Sequence, residues 1–314
     1  MPSLHQLPAP AKVNLFLHVT GRRPDGYHLL QSVFVPIDWQ DTLHIDTRDD
    51  GAIHRHDLLA PLPQDDLCTR AARLLQVESG VSMGCDIRIE KVLPSGAGLG
   101  GGSSDAATVL LALNQLWGLH WSTQRLADLA VRLGADVPFF VHGQPAWIEG
   151  IGEQITPIPL PADVLDSPLV VLKPPASVPT ASIFTSPLLK RDTKPAILAD
   201  FLAAPKRFGR NDLQEPAEGW RACDEHDRDT PGGDGSQISL ALGVMRNRFG
   251  NSRMTGSGSA VFSWLEPGQS LGSQSVTQAV DLGAHGGHWV GRVCRVLPCH
   301  PLLHLLDGFP ASAR

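Results

Sequence analysis

Between Pro94 and Thr108 the chain reads PSGAGLGGGSSDAAT, and five of the seven residues from Gly96 to Gly102 are glycine. Two serines and an aspartate follow, and a helical pattern begins behind them. Glycine at this density lets a backbone adopt positive φ and approach a ligand closely. A helix N-terminus directly behind it presents unpaired N–H groups and the positive end of the helix dipole. Together they form an anion site, and phosphate is the usual anion.

Three readings compete for this loop. A flexible Gly/Ser linker rarely sits between a good strand and a good helix. A dinucleotide fingerprint is spelled by Gly96, Gly98 and Gly101, but that fold needs a second strand ending in an acidic residue about 20 positions on. Here Trp117 to Ser122 opens another helix instead, which excludes it. The remaining reading is a nucleoside-triphosphate loop. It is not the common P-loop, because Gly102 stands where that motif requires lysine. The missing cation must come from elsewhere in the chain or from a metal ion.

Other residues of chemical interest lie apart from the loop. Residues 11–19 read AKVNLFLHV. Period two puts Val13, Leu15, Leu17 and Val19 on one face of a strand, and Lys12, Asn14, Phe16 and His18 on the other. A cation, an amide, an aromatic ring and an imidazole on one face suit a pocket wall as well as a solvated surface. Tyr27, the chain's single tyrosine, stands beside His28 after the Pro24-Asp25-Gly26 turn. Asp136 lies between a helix stop at Gly134 and the run Pro138-Phe139-Phe140. It is either buried or the cap of a turn begun by Pro138, and the local pattern favours the cap. A second glycine-rich turn, Met254 to Phe262, leads into a strand or helps enclose a triphosphate.

The elements that position these residues follow from periodicity. Strands are predicted over 11–19, 27–37, 41–47 and 84–92, the last delivering the chain into the glycine loop. Helices are predicted over 65–77, behind the loop (Ala106, Val109, Leu110, Leu113, Leu116), and after a Ser122 cap (Leu126, Leu129, Ala130, Leu133). The proline-rich segment 157–168 reads as a boundary between domains at about 1–160 and 161–314. In the second, a short strand over 169–172, a weak helix over 196–202, a helix over 238–249 and a strand over 288–296 are expected. Residues 217–237 are acidic, polar and glycine-rich and read as loop or disorder. Residues 266–287 are weakly patterned.

Composition bounds the function. The 314 residues are 42% apolar and 18% charged, as in a globular protein. A net charge of −6 argues against a nucleic-acid or anionic-membrane partner, though not against a local basic pocket. The five cysteines have neither metal-site nor disulfide-framework spacing, which suits a reducing cytoplasm. No apolar signal core and no run of about 18 apolar residues occurs, so a cytoplasmic protein is expected.

Three separated motifs together resemble the GHMP kinases: Pro10-Ala11-Lys12-Val13-Asn14, the loop Pro94-Ser95-Gly96-Ala97-Gly98-Leu99-Gly100-Gly101-Gly102-Ser103-Ser104, and Met254 to Ser259. PAKVNL, DGYH and LGADVPFF narrow the resemblance to the branch that phosphorylates a cytidine-diphosphate-linked methylerythritol in the non-mevalonate isoprenoid pathway. The resemblance implies an α+β fold of two domains, a ribosomal-protein-like N-terminal domain and a C-terminal sheet-and-helix domain, facing a central cleft. It implies ATP and Mg²⁺, with residues 94–104 holding the phosphates and Ser103 or Ser104 reaching the metal. It implies Lys12 and Asp136 as a catalytic pair, reversing the capping preference for Asp136. It implies Asn14, Tyr27, His28, Phe34 and Phe184 on the cytidine-diphosphate side. Another small-alcohol kinase, or a non-catalytic ligand sensor on the same scaffold, are the alternatives. The partner is a small molecule, and the oligomeric state stays open.

Overall fold

The structure, a computed structural model, describes residues 1–59, 61–221, 234–266, 268, 269, 271, 275, 276 and 288–306. Strands β1 (Ser3–Arg22) and β2 (His28–Arg48) form one long antiparallel hairpin around the predicted Pro24-Asp25-Gly26 turn. The two strands predicted over 27–37 and 41–47 are thus one strand of 21 residues. The polar interruption at Asp38 is an irregularity in the ladder: Pro10 pairs with Gln40 and Ala11 with Ile37, leaving two residues of β2 unpaired.

β2 is the spine of the first sheet. Beyond β1 it pairs with β4 (Gly84–Glu90) over residues 42–48 and with β5 (Ala146–Glu149) over 32–34. β6 (Gln154–Pro157) extends the β5 side. β3 (Ile53–Asp57) runs parallel to β4, with α1 (Leu67–Ser79) between them in the chain. Asp66 caps α1 by accepting from the N–H groups of Cys68 and Thr69. Helices α2 (Gly101–Leu116), α3 (Thr123–Ala130) and α4 (Val137–His142) share a buried core with α1 and this sheet.

One bulge changes which β1 side chains face together. Asn14 pairs with Phe34 but Phe16 pairs with Val33, so Leu15 is an extra residue and the alternation shifts. The expected single face of Lys12, Asn14, Phe16 and His18 is therefore split. Lys12, Asn14 and Leu17 line one cavity. Phe16 and His18 instead pack in an aromatic cluster, with the Phe16 ring 4.8 Å from His18, 5.5 Å from Trp147 and 5.1 Å from Phe208.

The second sheet is antiparallel, in the order β10 (Val290–Arg295), β7 (Pro168–Lys173), β9 (Val261–Trp264), β8 (Ser252–Met254). α5 (Ala162–Leu165) lies in the proline-rich connection from the first sheet. α6 (Thr180–Thr185), α7 (Leu198–Ala203), α8 (Gln214–Gly219) and α9 (Ser236–Phe249) complete the second half. The stretch read as loop over 217–237 begins inside α8 and ends inside α9, and its residues 222–233 lie outside the described ones, as does most of 266–287. After β10 the chain returns to the first half, where Leu302, Leu303 and Leu306 join the core around α2.

A second core unites the two sheets. Val13, Leu15, Val33, Val35 and Ile37 of the hairpin meet Leu169, Val171, Phe262 and Trp264 of the second sheet. Leu93, Ala97 and Leu99 from the glycine-rich segment insert into the same core. The loop is therefore anchored by the buried side chains of Leu93, Ala97 and Leu99. Leu99 is 1% exposed. Leu99→Ala is expected to cost about 2–5 kcal/mol in urea unfolding and to weaken ATP binding, measured by calorimetry on the folded variant. An unchanged affinity would show that the anchor does not shape the loop.

Candidate active site

Gly96, Gly98 and Gly100 all have positive φ, at 61°, 71° and 71°. Their carbonyl neighbours are held from behind. Ser259 N donates to Gly96 O at 3.1 Å, Ala260 N to Ala97 O at 3.1 Å, and Lys12 N to Leu99 O at 2.9 Å. With carbonyls turned toward the second sheet and β1, the loop's N–H groups are left for the other side. α2 begins at this point with Gly100 as its N-cap and no side-chain capping bond. A Cβ on Gly98 would lie 2.3 Å from Thr255 O, so the two glycine-rich segments are in backbone contact and only glycine fits there.

The second segment is itself braced. Ser259 Oγ donates to Ala176 O at 2.6 Å, and Lys173 Nζ donates to the same carbonyl at 2.6 Å and to Pro174 O at 2.7 Å. Burial pushes the Lys173 ammonium down to about 8.

A cavity of about 420 Å³ lies over this loop, lined by every residue from Pro94 to Ser103, by Asp105, by residues 65–68 and by Lys91. Ser104, expected as the metal ligand, lines neither this cavity nor the larger one described below. It is fully buried, and its Oγ has no hydrogen-bond partner. Ser103 lines both.

Lys91 was not singled out by sequence, because a lysine at the end of a strand reads as solvated. Here it lies beneath the first turn of α2, bonded to Asp41 and, at 2.6 Å, to Asp105. A Cβ on Gly101 would stand 3.0 Å from its Nζ, so the missing side chain is what admits this cation beside the loop. Burial alone would depress Lys91, but Asp105 and Asp41 outweigh it and hold the ammonium above its ordinary value. Burial raises the Asp105 carboxyl, and the Asp41 charge adds to that while Lys91 opposes it.

A larger cavity, about 920 Å³, meets the first at Gly98, Gly100 and Ser103, which line both. At this junction stand Lys12 and Asp136. Lys12 is 3% exposed. Its Nζ donates to Asn14 Oδ1 at 2.6 Å, lies 4.7 Å from the centre of the Phe34 ring, and is 3.6 Å from Asp136 Oδ2. Asn14 is held in turn by Ser32 Oγ, which accepts from its Nδ2 at 3.0 Å, and by Thr255 Oγ1, which accepts from its backbone N at 2.9 Å. Asp136 occupies the N-cap position of α4, as the local pattern suggests, but its side chain makes no capping bond. Its backbone is already helical, with φ −87° and ψ −13°, so its carboxylate is left to Lys12 and the cavity.

The far end of the cavity is aromatic. The His28 ring stacks on Phe184 with centroids 5.1 Å apart and planes at 25°. Tyr27 lines the same end and is exposed. Phe34 lies six residues from His28 on β2, roughly 20 Å along an extended strand. Of the residues expected together, Tyr27, His28 and Phe184 gather at this end, while Asn14 and Phe34 stand at Lys12. Arg191, another residue passed over in the sequence, donates from Nε to His28 Nε2 at 3.1 Å.

Among the described residues no group of three or more histidines, cysteines or carboxylates is spaced to hold a metal. A divalent cation at this junction would depend on phosphate oxygens, water and the Ser103 hydroxyl, a donor set that suits Mg²⁺.

The comparisons with known proteins identify the family. Residues 66–144 match the GHMP kinases N terminal domain. The chain is 55% identical over 302 residues to the 4-diphosphocytidyl-2-C-methyl-D-erythritol kinase of Methylibium petroleiphilum, covering 96% of this chain and 98% of that one. It is 50% identical over 302 residues to the enzyme of the same name from Paracidovorax citrulli, covering 96% and 97%. A crystal structure of 4-(cytidine 5'-diphospho)-2C-methyl-D-erythritol kinase superposes with a TM-score of 0.70 at 33% identity, covering 94% of this chain and 99% of that one. Homoserine kinase from Cytophaga hutchinsonii shares the fold, with a TM-score of 0.63 at 16% identity and coverage of 94% and 95%.

The brace at Lys173 has a measurable signature. Its native pKa, about 8, lies below its ordinary 10.5. Between these values the unfolded chain keeps the proton that the native state sheds, so this group makes stability rise with pH across that window. Below pH 8 both states are charged and the native state bears the full cost of burial. The unfolding free energy of wild type minus that of Lys173→Met is expected to grow by about 2 kcal/mol between pH 7.5 and 9.5 in urea titrations. A flat difference would mean that the ammonium is not desolvated.

Proposed function

Since the chain belongs to the 4-diphosphocytidyl-2-C-methyl-D-erythritol kinase family of the GHMP kinases, we propose that its two joined cavities hold the two substrates of one phosphoryl transfer. The reaction is ATP-dependent phosphorylation of the 2-hydroxyl of 4-diphosphocytidyl-2-C-methyl-D-erythritol, a step of non-mevalonate isoprenoid precursor synthesis. ATP lies over residues 94–103, its phosphates on the N–H groups of the loop and the first turn of α2. The cytidylyl alcohol fills the larger cavity, with its base at Tyr27, His28 and Phe184 and its erythritol at Lys12 and Asp136. The observation that carries this reading is the junction: the Lys12–Asp136 pair, at 3.6 Å, stands where the two cavities share Gly98, Gly100 and Ser103.

Asp136 accepts the proton of the 2-hydroxyl as its oxygen attacks the γ-phosphorus. The new P–O bond forms as the bond to the β-phosphate bridging oxygen breaks, and that oxygen leaves on ADP with the electron pair. Lys12 stabilises the charge developing on the attacking oxygen and orients Asp136. Asn14 and the Phe34 ring fix the ammonium from the opposite side. We assign metal contact to Ser103 rather than Ser104, because only Ser103 faces the cavities. Mg²⁺, when bound, neutralises charge on the β- and γ-phosphates.

The aromatic end separates this function from that of kinases acting on smaller alcohols such as homoserine or mevalonate, which carry no base to stack. A sensor without turnover would not need both Lys12 and Asp136. Cys68, Cys85 and Cys294 are free, buried thiols, which fits a cytoplasmic site of action, and no described helix is long and apolar enough to cross a membrane.

A coupled ADP-release assay with the cytidylyl alcohol, homoserine and mevalonate tests the assignment: turnover only with the first is expected. Asp136→Asn keeps the shape and the cap position but removes the base. It is expected to lower kcat about 10²- to 10⁴-fold with an unchanged melting temperature. Lys12→Met is expected to lower kcat with the ATP Kd nearly intact. A folded Asp136→Asn enzyme with wild-type kcat would refute the base assignment.

A further inference from the structure

We infer that Arg191 is a positioning residue that fixes which ring nitrogen of His28 carries the proton, and thereby makes the site select cytosine over uracil. This rests on the assignment of Tyr27, His28 and Phe184 to the base.

Arg191 is bound almost wholly through backbone carbonyls. Its Nη1 donates to Leu189 O at 3.0 Å, and its Nη2 to Phe184 O at 3.0 Å and Ser186 O at 2.9 Å. Its Nε points at His28 Nε2 at 3.1 Å. A guanidinium has five N–H donors, no acceptor, and keeps its proton throughout the working pH range. His28 Nε2 must therefore be the acceptor, and a neutral ring then carries its proton on Nδ1. The alternative tautomer would set N–H against N–H.

The charge around the ring acts in the same direction. Burial lowers the His28 pKa, and the cations Arg191 and Arg22 lower it further. Asp25, the carboxylate of the same loop, is engaged elsewhere, with the Tyr27 N–H at 3.2 Å and with Arg23 at 2.6 Å. The ring thus stays neutral below the pH at which a free histidine would protonate. The guanidinium also holds the carbonyl of Phe184, whose ring stacks on His28. One side chain therefore aligns both the stacking partner and the polar edge.

The consequence is chemical. Cytosine N3 is an acceptor, whereas uracil N3 carries a hydrogen and donates. With Nε2 taken by Arg191, the His28 ring is left with Nδ1–H to offer a ligand in the cavity it lines, which complements the first and opposes the second. A ring free to choose its tautomer would accept either base. Sites built around one hydrogen-bond polarity reject the mismatched partner strongly, because the buried group is left unpaired.

The test compares wild type with Arg191→Met and Arg191→Lys, using the cytidylyl alcohol and its uridylyl analogue. Arg191→Met is expected to cut the cytidylyl-to-uridylyl ratio of kcat/KM at least about tenfold, chiefly through KM, with kcat little changed. Histidine ¹⁵N NMR, with the His28 signal assigned by its loss in His28→Asn, should show the Nδ1–H tautomer in wild type. In Arg191→Met it should show mixed tautomers and a pKa shifted back up. A merely structural arginine would change KM for both substrates equally and leave the tautomer alone. A wild-type ring protonated on Nε2 would overturn the inference, as would unchanged selectivity in a folded Arg191→Met. If Arg191→Met does not fold, the wild-type tautomer and the selectivity of Arg191→Lys decide. Failure of wild type to turn over the cytidylyl alcohol at all would instead remove the functional assignment on which the inference rests.

Discussion

The structure depends on one backbone constraint: the glycine loop cannot satisfy its own carbonyls and N–H groups and still bind phosphate. Its carbonyls are taken up from outside, by Lys12 N at Leu99 and by Ser259 N and Ala260 N at Gly96 and Ala97. Buried backbone groups must be paired, so these bonds dictate that β1 and the second glycine-rich segment lie against the loop. The same bonds join the first sheet to the second and determine where Lys12 emerges. The bond that satisfies Leu99 O comes from the residue whose ammonium faces Asp136, so the geometry of the loop and that of the Lys12–Asp136 pair are one arrangement rather than two.

The bulge at Leu15 serves the same end. It leaves an extra residue in β1, and Arg253 Nη1 donates to the Leu15 carbonyl at 2.6 Å. That frees the strand to turn Lys12 and Asn14 toward the cavity while Phe16 and His18 enter an apolar cluster. Without it, strict alternation would send His18 and Phe16 to the substrate side and lose the aromatic packing.

Much of this was legible in the sequence, because it rests on local chemistry. Glycine density and the pattern behind it located the loop that opens α2, and period-two patterning located the strand that carries Lys12. Asp136 was ambiguous for a physical reason: its position is that of a cap, and only the helical φ and ψ reveal that the carboxylate does not cap. The face of β1 was misassigned because a bulge leaves no mark on hydrophobic alternation. Asp38 to Asp41 resembled a strand end because polar residues in a ladder irregularity look like a turn. Ser104 could not be told from Ser103, since adjacent residues in a first helical turn differ by about 100° in direction. Lys91 and Arg191 were invisible because their partners, Asp41 and Asp105 for one and His28 for the other, are distant in sequence.

Arg191, held by the carbonyls of Leu189, Phe184 and Ser186, shares a physical logic with Lys173 and Arg253. Among the described residues, Lys173 is bonded to the carbonyls of Pro174 and Ala176, and Arg253 to those of Leu15, Phe208 and Lys206. Burial lowers the pKa of both, to about 8 and about 10. A carboxylate partner would have cancelled each charge. A carbonyl orients a cation without neutralising it, so each keeps a local positive field. In a chain with a net charge of −6, diphosphate and triphosphate groups need such local fields. Lys91 follows the opposite design, with two carboxylates at its ammonium, and so it braces the start of α2 more than it contributes free charge. In the proposed reaction, attracting phosphate then falls to the loop N–H groups and to Lys12, whose carboxylate neighbour Asp136 stands 3.6 Å away.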